Sequence, residues 1–82
     1  MSLVHLRLKP YSYTQVIKAL NKLGFHVVRQ RGSHIVLKGF YRGAKRTVVV
    51  PKHGEIAIGT LRGTLFQAGV TVEEFLDLVE KN

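Results

Sequence analysis

Residues 25–51, "FHVVRQRGSHIVLKGFYRGAKRTVVVP", decide the fold. Three runs within them, FHVVRQR, HIVLKGF and KRTVVVP, are rich in branched and aromatic residues, and only Gly-Ser and YRGA separate them. Such residues suit a pleated, half-buried surface, and breaks this short join antiparallel neighbours in hairpins. A three-stranded antiparallel sheet follows. In the middle run, alternation sends Ile35 and Leu37 to a core and leaves His34, Val36 and Lys38 on the open face. Pro51 ends the third strand because it has no N–H to donate to a ladder.

Upstream, "YSYTQVIKALNKLGF" reads as a helix with both ends marked. Ser12 and Gln15 form a capping box, Tyr11 and Val16 stand at staple spacing, and Gly24 follows the last apolar position. Val16, Ile17, Leu20 and Leu23 share one face, with Lys18 and Lys22 on the other. Downstream, "KHGEIAIG" reads as a loop, and "TLRGTLFQAG" places Leu61, Leu65 and Ala68 at helical spacing. Gly63 weakens that helix by up to ~1 kcal/mol relative to alanine, so a close packing contact is expected there. Thr71 and Glu74 form a second capping box opening a last short helix, with Val70 and Phe75 as its staple and Phe75, Leu76 and Val79 inward. The expected architecture is α+β, in the order α-β-β-β-α with a short second helical segment, and a helical layer on one sheet face.

At 82 residues the whole chain, 1–82, is expected to be one domain, since a chain this short has room for one modest core. Charge is unevenly spread: residues 1–54 carry 11 Lys or Arg and no acid, whereas residues 55–82 carry 2 bases and 5 acids. A segment that cannot neutralise itself attracts a polyanion, and nucleic acid is the commonest one. A membrane surface or an acidic protein are the alternatives. No apolar run approaches the roughly 18 residues of a membrane span, and "MSLVHLRLKPYS" lacks the layout of a signal peptide, so a cytoplasmic location is expected.

The absence of cysteine excludes disulfides, thiolate metal sites and a cysteine nucleophile. His5, His26, His34 and His53 show no paired ligand spacing and have no Glu of an H-E-x-x-H motif, so no metal site is expected. Paired carboxylates are missing too, since four of the five acids crowd into residues 73–80. Ser33 cannot be activated by His34, because adjacent strand residues point to opposite faces. "TLRGTLFQAGVTVEEFL" superficially resembles a helix-turn-helix, but an acidic second segment is unsuited to the major groove.

What survives is histidine among bases. Cleaving RNA without a metal needs a group to take the 2′-hydroxyl proton, another to protonate the leaving 5′-oxygen, and cations to hold the phosphate. Imidazole serves either proton step near neutral pH, and Arg29, Arg31 and Lys38 are placed to supply charge. Spacing alone is a weak signal, since a lone histidine at a strand start is more often structural. Tyr11, Tyr13, Phe40 and Tyr41 are the aromatic residues that could stack on bases, although Tyr11 is equally suited to the helix staple and Phe40 and Tyr41 to loop packing.

These residues match a known pattern. "VIKALNKLGFHVVRQRGSHIVL", "VVVPKHGEI" and "GTLRGTLFQAGVTVEEFL", in that order across residues 13–79, resemble the HicA family of mRNA interferase toxins from type II toxin–antitoxin pairs. The resemblance implies a double-stranded-RNA-binding-domain-like fold and an endoribonuclease that needs no metal, with mRNA as substrate and a HicB-type antitoxin as partner. The active histidine of "GSH" falls on His34, and His53 matches an accessory histidine after the strand-ending proline. Arg29, Arg31, Lys38, Arg42, Lys45, Arg46 and Lys52 are the expected RNA contacts, and no cofactor is implied. A non-catalytic RNA-binding module of the same fold is the alternative. The chain departs from the short family pattern in its first ten residues, where Val4, Leu6 and Leu8 could form an edge strand, meet the antitoxin or belong to a flexible tail, and in Ile56, Ala57 and Ile58.

Overall fold

A computed structural model describes residues 7–80. Its elements run α1 (Tyr13–Lys22), β1 (His26–Arg31), β2 (His34–Tyr41), β3 (Ala44–Pro51), α2 (Ile58–Ala68) and α3 (Val72–Glu80). The α+β architecture expected from the sequence is present, with the last third divided into two helices of similar length.

The first helix starts where its capping box places it. Ser12 Oγ accepts from the Gln15 N–H at 3.2 Å, and the Gln15 side chain accepts from the Ser12 N–H at 3.1 Å. Two of the orphan donors of the first turn are thereby satisfied, and each such cap is worth about 1 kcal/mol. Thr71 and Glu74 repeat the exchange at α3, at 2.8 and 3.1 Å.

The strands lie in the order β1-β2-β3, both pairs antiparallel. Ile35 and Leu37 of β2 pair with Gln30 and Val27 of β1 and with Val50 and Val48 of β3, and the helices cover this face. Val16, Leu20, Phe25, Leu37, Val48, Val50, Leu61 and Phe75 are fully buried in the resulting core. Ile56, expected in a loop, joins them because its N–H donates to the Tyr11 carbonyl at 2.8 Å and fixes the connection against the start of α1. Tyr11 in turn packs edge-on against Phe75 at 5.2 Å between ring centroids.

Leu8 is buried in the same core, so that part of the N-terminal extension is neither edge strand nor free tail. Val4 and Leu6 lie outside the described residues.

Two glycines reverse an expectation. Around Gly63, a Cβ would meet no atom within 4 Å, so the close contact expected in α2 is absent. Gly39 holds that role instead: a Cβ there would lie 2.7 Å from the Phe25 ring and 2.9 Å from the Gly24 carbonyl oxygen. Alternation from Ile35 and Leu37 puts Gly39 on the core side of β2, but a one-dimensional pattern contains no sign that Phe25 lies across it.

At the far end of the sheet, Arg42 and Gly43 both have positive φ, 51° and 78°, as a two-residue type I′ hairpin turn requires. The turn is tied to α3 through Glu74, which accepts from the Tyr41 hydroxyl at 2.6 Å and pairs with Arg42. Partial burial works against the charge of Glu74, but hydrogen bonds from Thr71, Tyr41 and Arg42 outweigh it and bring the pKa down to about 2. Because the folded value is depressed, the stability it contributes is present above about pH 4.5 and is lost as acid approaches pH 2. Glu74→Gln should remove this part of the acid dependence. At neutral pH it should also cost roughly 1–2 kcal/mol, after allowance for partial exposure, as measured by thermal melts at a series of pH values.

Candidate functional site

His34 opens β2 directly after the Gly32-Ser33 turn, where Gly32 takes φ 58°. Its register partners are Arg31 on one side and Pro51 on the other. The segment after β3 is drawn to the same place: the Lys52 N–H donates to the Ser33 carbonyl at 2.6 Å, and the His53 N–H to the Pro51 carbonyl at 2.9 Å. The His53 carbonyl then accepts from Tyr13 N–H at 3.1 Å, which ties this segment to the first residue of α1.

His34 and His53 therefore line one groove, of about 650 Å³, between the end of β3 and α2. Thr60, Thr64 and Gln67 form its helical wall, and Glu55 is its acid. That wall is stitched to the edge of the sheet. Val49 N–H donates to Gln67 Oε1 at 2.9 Å, and Thr64 Oγ1 donates to the Val49 carbonyl at 3.2 Å. These side chains satisfy backbone groups that an edge strand otherwise exposes to further pairing. Sequence reasoning missed Thr64 and Gln67, because a polar residue that bonds an edge strand carries no periodic mark, and it missed Glu55 and Thr60, which only the packing of α2 beside the end of β3 brings to the groove.

The open face of the sheet runs away from this groove. Residues opposite one another in an antiparallel ladder share a face. Across it stand Arg31, His34 and Pro51, then Arg29, Val36 and Val49, then His26, Lys38 and Thr47, and finally Phe40 and Lys45. Strict alternation along HVVRQR would put His26 and Arg29 on opposite faces. A bulge resolves the conflict: the register passes from Val27↔Leu37 to Arg29↔Val36, leaving Val28 as the extra residue. His26, Arg29 and Arg31 consequently all share the face of His34. The same bulge also interrupts β1, an edge strand on which Val27 and Val28 are each 49% exposed.

Of the expected RNA contacts, Arg29, Arg31, Lys38 and Lys45 lie on this face, and exposed Lys52 lies beside the Ser33 turn. Two do not join them. Arg42 sits in the distal turn, paired with Glu74 and with its guanidinium 5.4 Å from the Tyr41 ring centre. Arg46 is opposite Gly39 on the helix-covered face, where its Nε donates to the Tyr41 carbonyl at 2.8 Å. Its guanidinium lies so close to Gly69 that a Cβ there would fall 2.5 Å from it. Among the aromatic candidates, Tyr11 is buried and Tyr13 and Tyr41 are half-buried, whereas Phe40 is 67% exposed.

Among the described residues, no group of three or more His, Asp or Glu side chains is placed to hold a metal ion, and no helix is long and apolar enough to cross a membrane. A family model described as "HicA toxin of bacterial toxin-antitoxin" matches residues 13–70, a span from the first residue of α1 to just past α2. No curated protein matches the chain.

Proposed function

The chain belongs to the HicA toxin family of bacterial toxin–antitoxin systems, and from that premise we propose that it is a metal-independent endoribonuclease that cleaves mRNA in the cytoplasm. His34 and His53 are its proton-transfer groups, with His34 the principal one. The observation that supports this reading best is their meeting in one groove beside a cationic sheet face.

The reaction needs no further reagent. The 2′-oxygen attacks the adjacent phosphorus as one imidazole takes its proton, the bond from phosphorus to the 5′-oxygen breaks, and the other, protonated imidazole donates to that oxygen. The products are a 2′,3′-cyclic phosphate and a 5′-hydroxyl end. Arg29 and Arg31 stand on the His34 face, where their charge stabilises the additional negative charge on the phosphate oxygens in the transition state. Arginine suits this task because its planar, permanently charged fork matches phosphate oxygens.

Product analysis of mRNA treated with purified protein in the presence of a chelator tests the chemistry. Cyclic phosphate ends are expected, undiminished by the chelator. Salt-sensitive binding with no scission would instead identify a non-catalytic RNA-binding module. His53→Ala should lower the cleavage rate by roughly 10-fold to 10²-fold, at the lower end of proton-transfer contributions because water or a substrate group can take over part of the second transfer. A family-typical HicB antitoxin is the expected protein partner, and it would silence the toxin by covering this groove.

A further inference from the structure

The proposed cleavage site occupies only one end of the open sheet face. From His34 to Phe40 the middle strand runs six residues, about 20 Å at the usual rise per residue. Along this length the face carries Arg29, Arg31, Lys38 and Lys45, and none of the four is in an ion pair among the described residues. At its far end a second groove, of about 430 Å³, is lined by His26, Lys38, Phe40, Lys45 and Thr47 of this face together with Arg46. Phe40 is 67% exposed there, although it is a large apolar ring in the middle strand of the sheet. Its exposure is not relieved by the hairpin turn, since Tyr41, the next residue, takes the inward place against Phe25.

We propose that this face is a track for single-stranded RNA, in which Phe40 stacks on a base several nucleotides from the bond cut at His34, and Lys38 and Lys45 hold the phosphates on either side. The proposal rests on the endoribonuclease reading above and extends it to the substrate class. A helical duplex keeps its base faces stacked inside and offers an exposed ring nothing to cover it. A single strand presents a π-face at every nucleotide, and a flat sheet carrying an aromatic ring among cations is a surface on which such bases stack. The overall resemblance to duplex-binding folds therefore does not extend to this face.

Binding provides the test, independently of cleavage. With an uncleavable single-stranded RNA of about 12 nucleotides, within the site sizes usual for such surfaces, Phe40→Ala should raise Kd by roughly 5-fold to 100-fold, as expected for loss of one stacked base. Phe40→Trp should restore parental affinity, and Phe66→Ala, which removes a ring 85% exposed on α2, should leave it unchanged. The parent should bind the same sequence as a duplex more weakly than as a single strand. Equal binding of both forms, or an unchanged Kd in Phe40→Ala, overturns the track. So does a Phe40→Ala protein that keeps its RNA affinity but loses its antitoxin, which would assign the face to a protein. None of these results depends on the fate of His34: if His34→Ala still cleaves RNA, the catalytic reading fails while the binding series stands.

Discussion

Alanine in place of His34 is expected to lower the rate of RNA cleavage by roughly 10²-fold to 10⁴-fold, the range that one positioned proton-transfer group supplies. Toxicity in growing cells should disappear with it. His34 is exposed and forms part of no core cluster, so the substitution should leave thermal stability within about 0.5 kcal/mol of the parent. Binding of antitoxin and of intact RNA should persist, because the cations of the sheet face remain. This separation of chemistry from folding and binding is what distinguishes a proton-transfer residue from one that merely shapes the groove. Rapid cleavage by a purified, folded His34→Ala protein would refute the proposed chemistry. The second histidine adds an internal check. If His34 and His53 act on the same reacting phosphate, the double variant should lose much less than the product of the two single losses, since groups that act as a unit are not additive.

The second large effect concerns two glycines that look alike in the sequence. Gly39→Ala forces a methyl group into the space between the buried Phe25 ring and the Gly24 carbonyl. Phe25 has no exposure through which to escape, so the backbone of β2 has to shift. Overpacking of this kind costs about 1–3 kcal/mol, which in a domain of this size lowers the melting temperature by roughly 5–20 °C. Gly63→Ala should act in the opposite direction. Its Cβ meets nothing within 4 Å, and the position is inside α2. Alanine there should add about 0.5–1 kcal/mol by restricting the unfolded chain and favouring the helix. Melting curves of the two variants decide the matter, and a destabilised Gly63→Ala protein would contradict the open surroundings of that residue.

Much of the fold was legible because its signals are local. Capping boxes act over three residues, and both of them, Ser12 with Gln15 and Thr71 with Glu74, form the hydrogen bonds their sequences imply. Strand limits followed from Gly-Ser and YRGA, since short turns leave few ways to connect branched runs. The inward placement of Ile35 and Leu37 came from a period of two, which a one-sided core imposes. Yet Val36, assigned to the open face by the same rule, is only 6% exposed. It lies in the central strand, with Arg29 paired on one side and Val49 on the other.

The candidate site was less legible, because it depends on which distant residues meet. Arg42 and Arg46 are as basic in sequence as Arg29 and Arg31, but Glu74 and the Tyr41 carbonyl engage them at the far hairpin. Those partners lie in α3 and in the preceding strand, and no spacing within a basic run reveals them.

By itself, then, the sequence determined the order of helices and strands, the two capped helix starts, the cationic first two-thirds of the chain and the family resemblance that singled out His34. Each of these is carried by neighbouring residues or by composition. Only the tertiary structure decided that the bulge at Val28 brings His26 to the face of Arg29, Arg31 and His34, that His53 returns to the same groove, and that Phe40 stands exposed at the far end of the face. The physical reasons are non-local: a one-residue change of register inverts the side chains beyond it, a loop's destination is fixed by hydrogen bonds to partners remote in sequence, and a ring's exposure depends on what the rest of the chain packs against it.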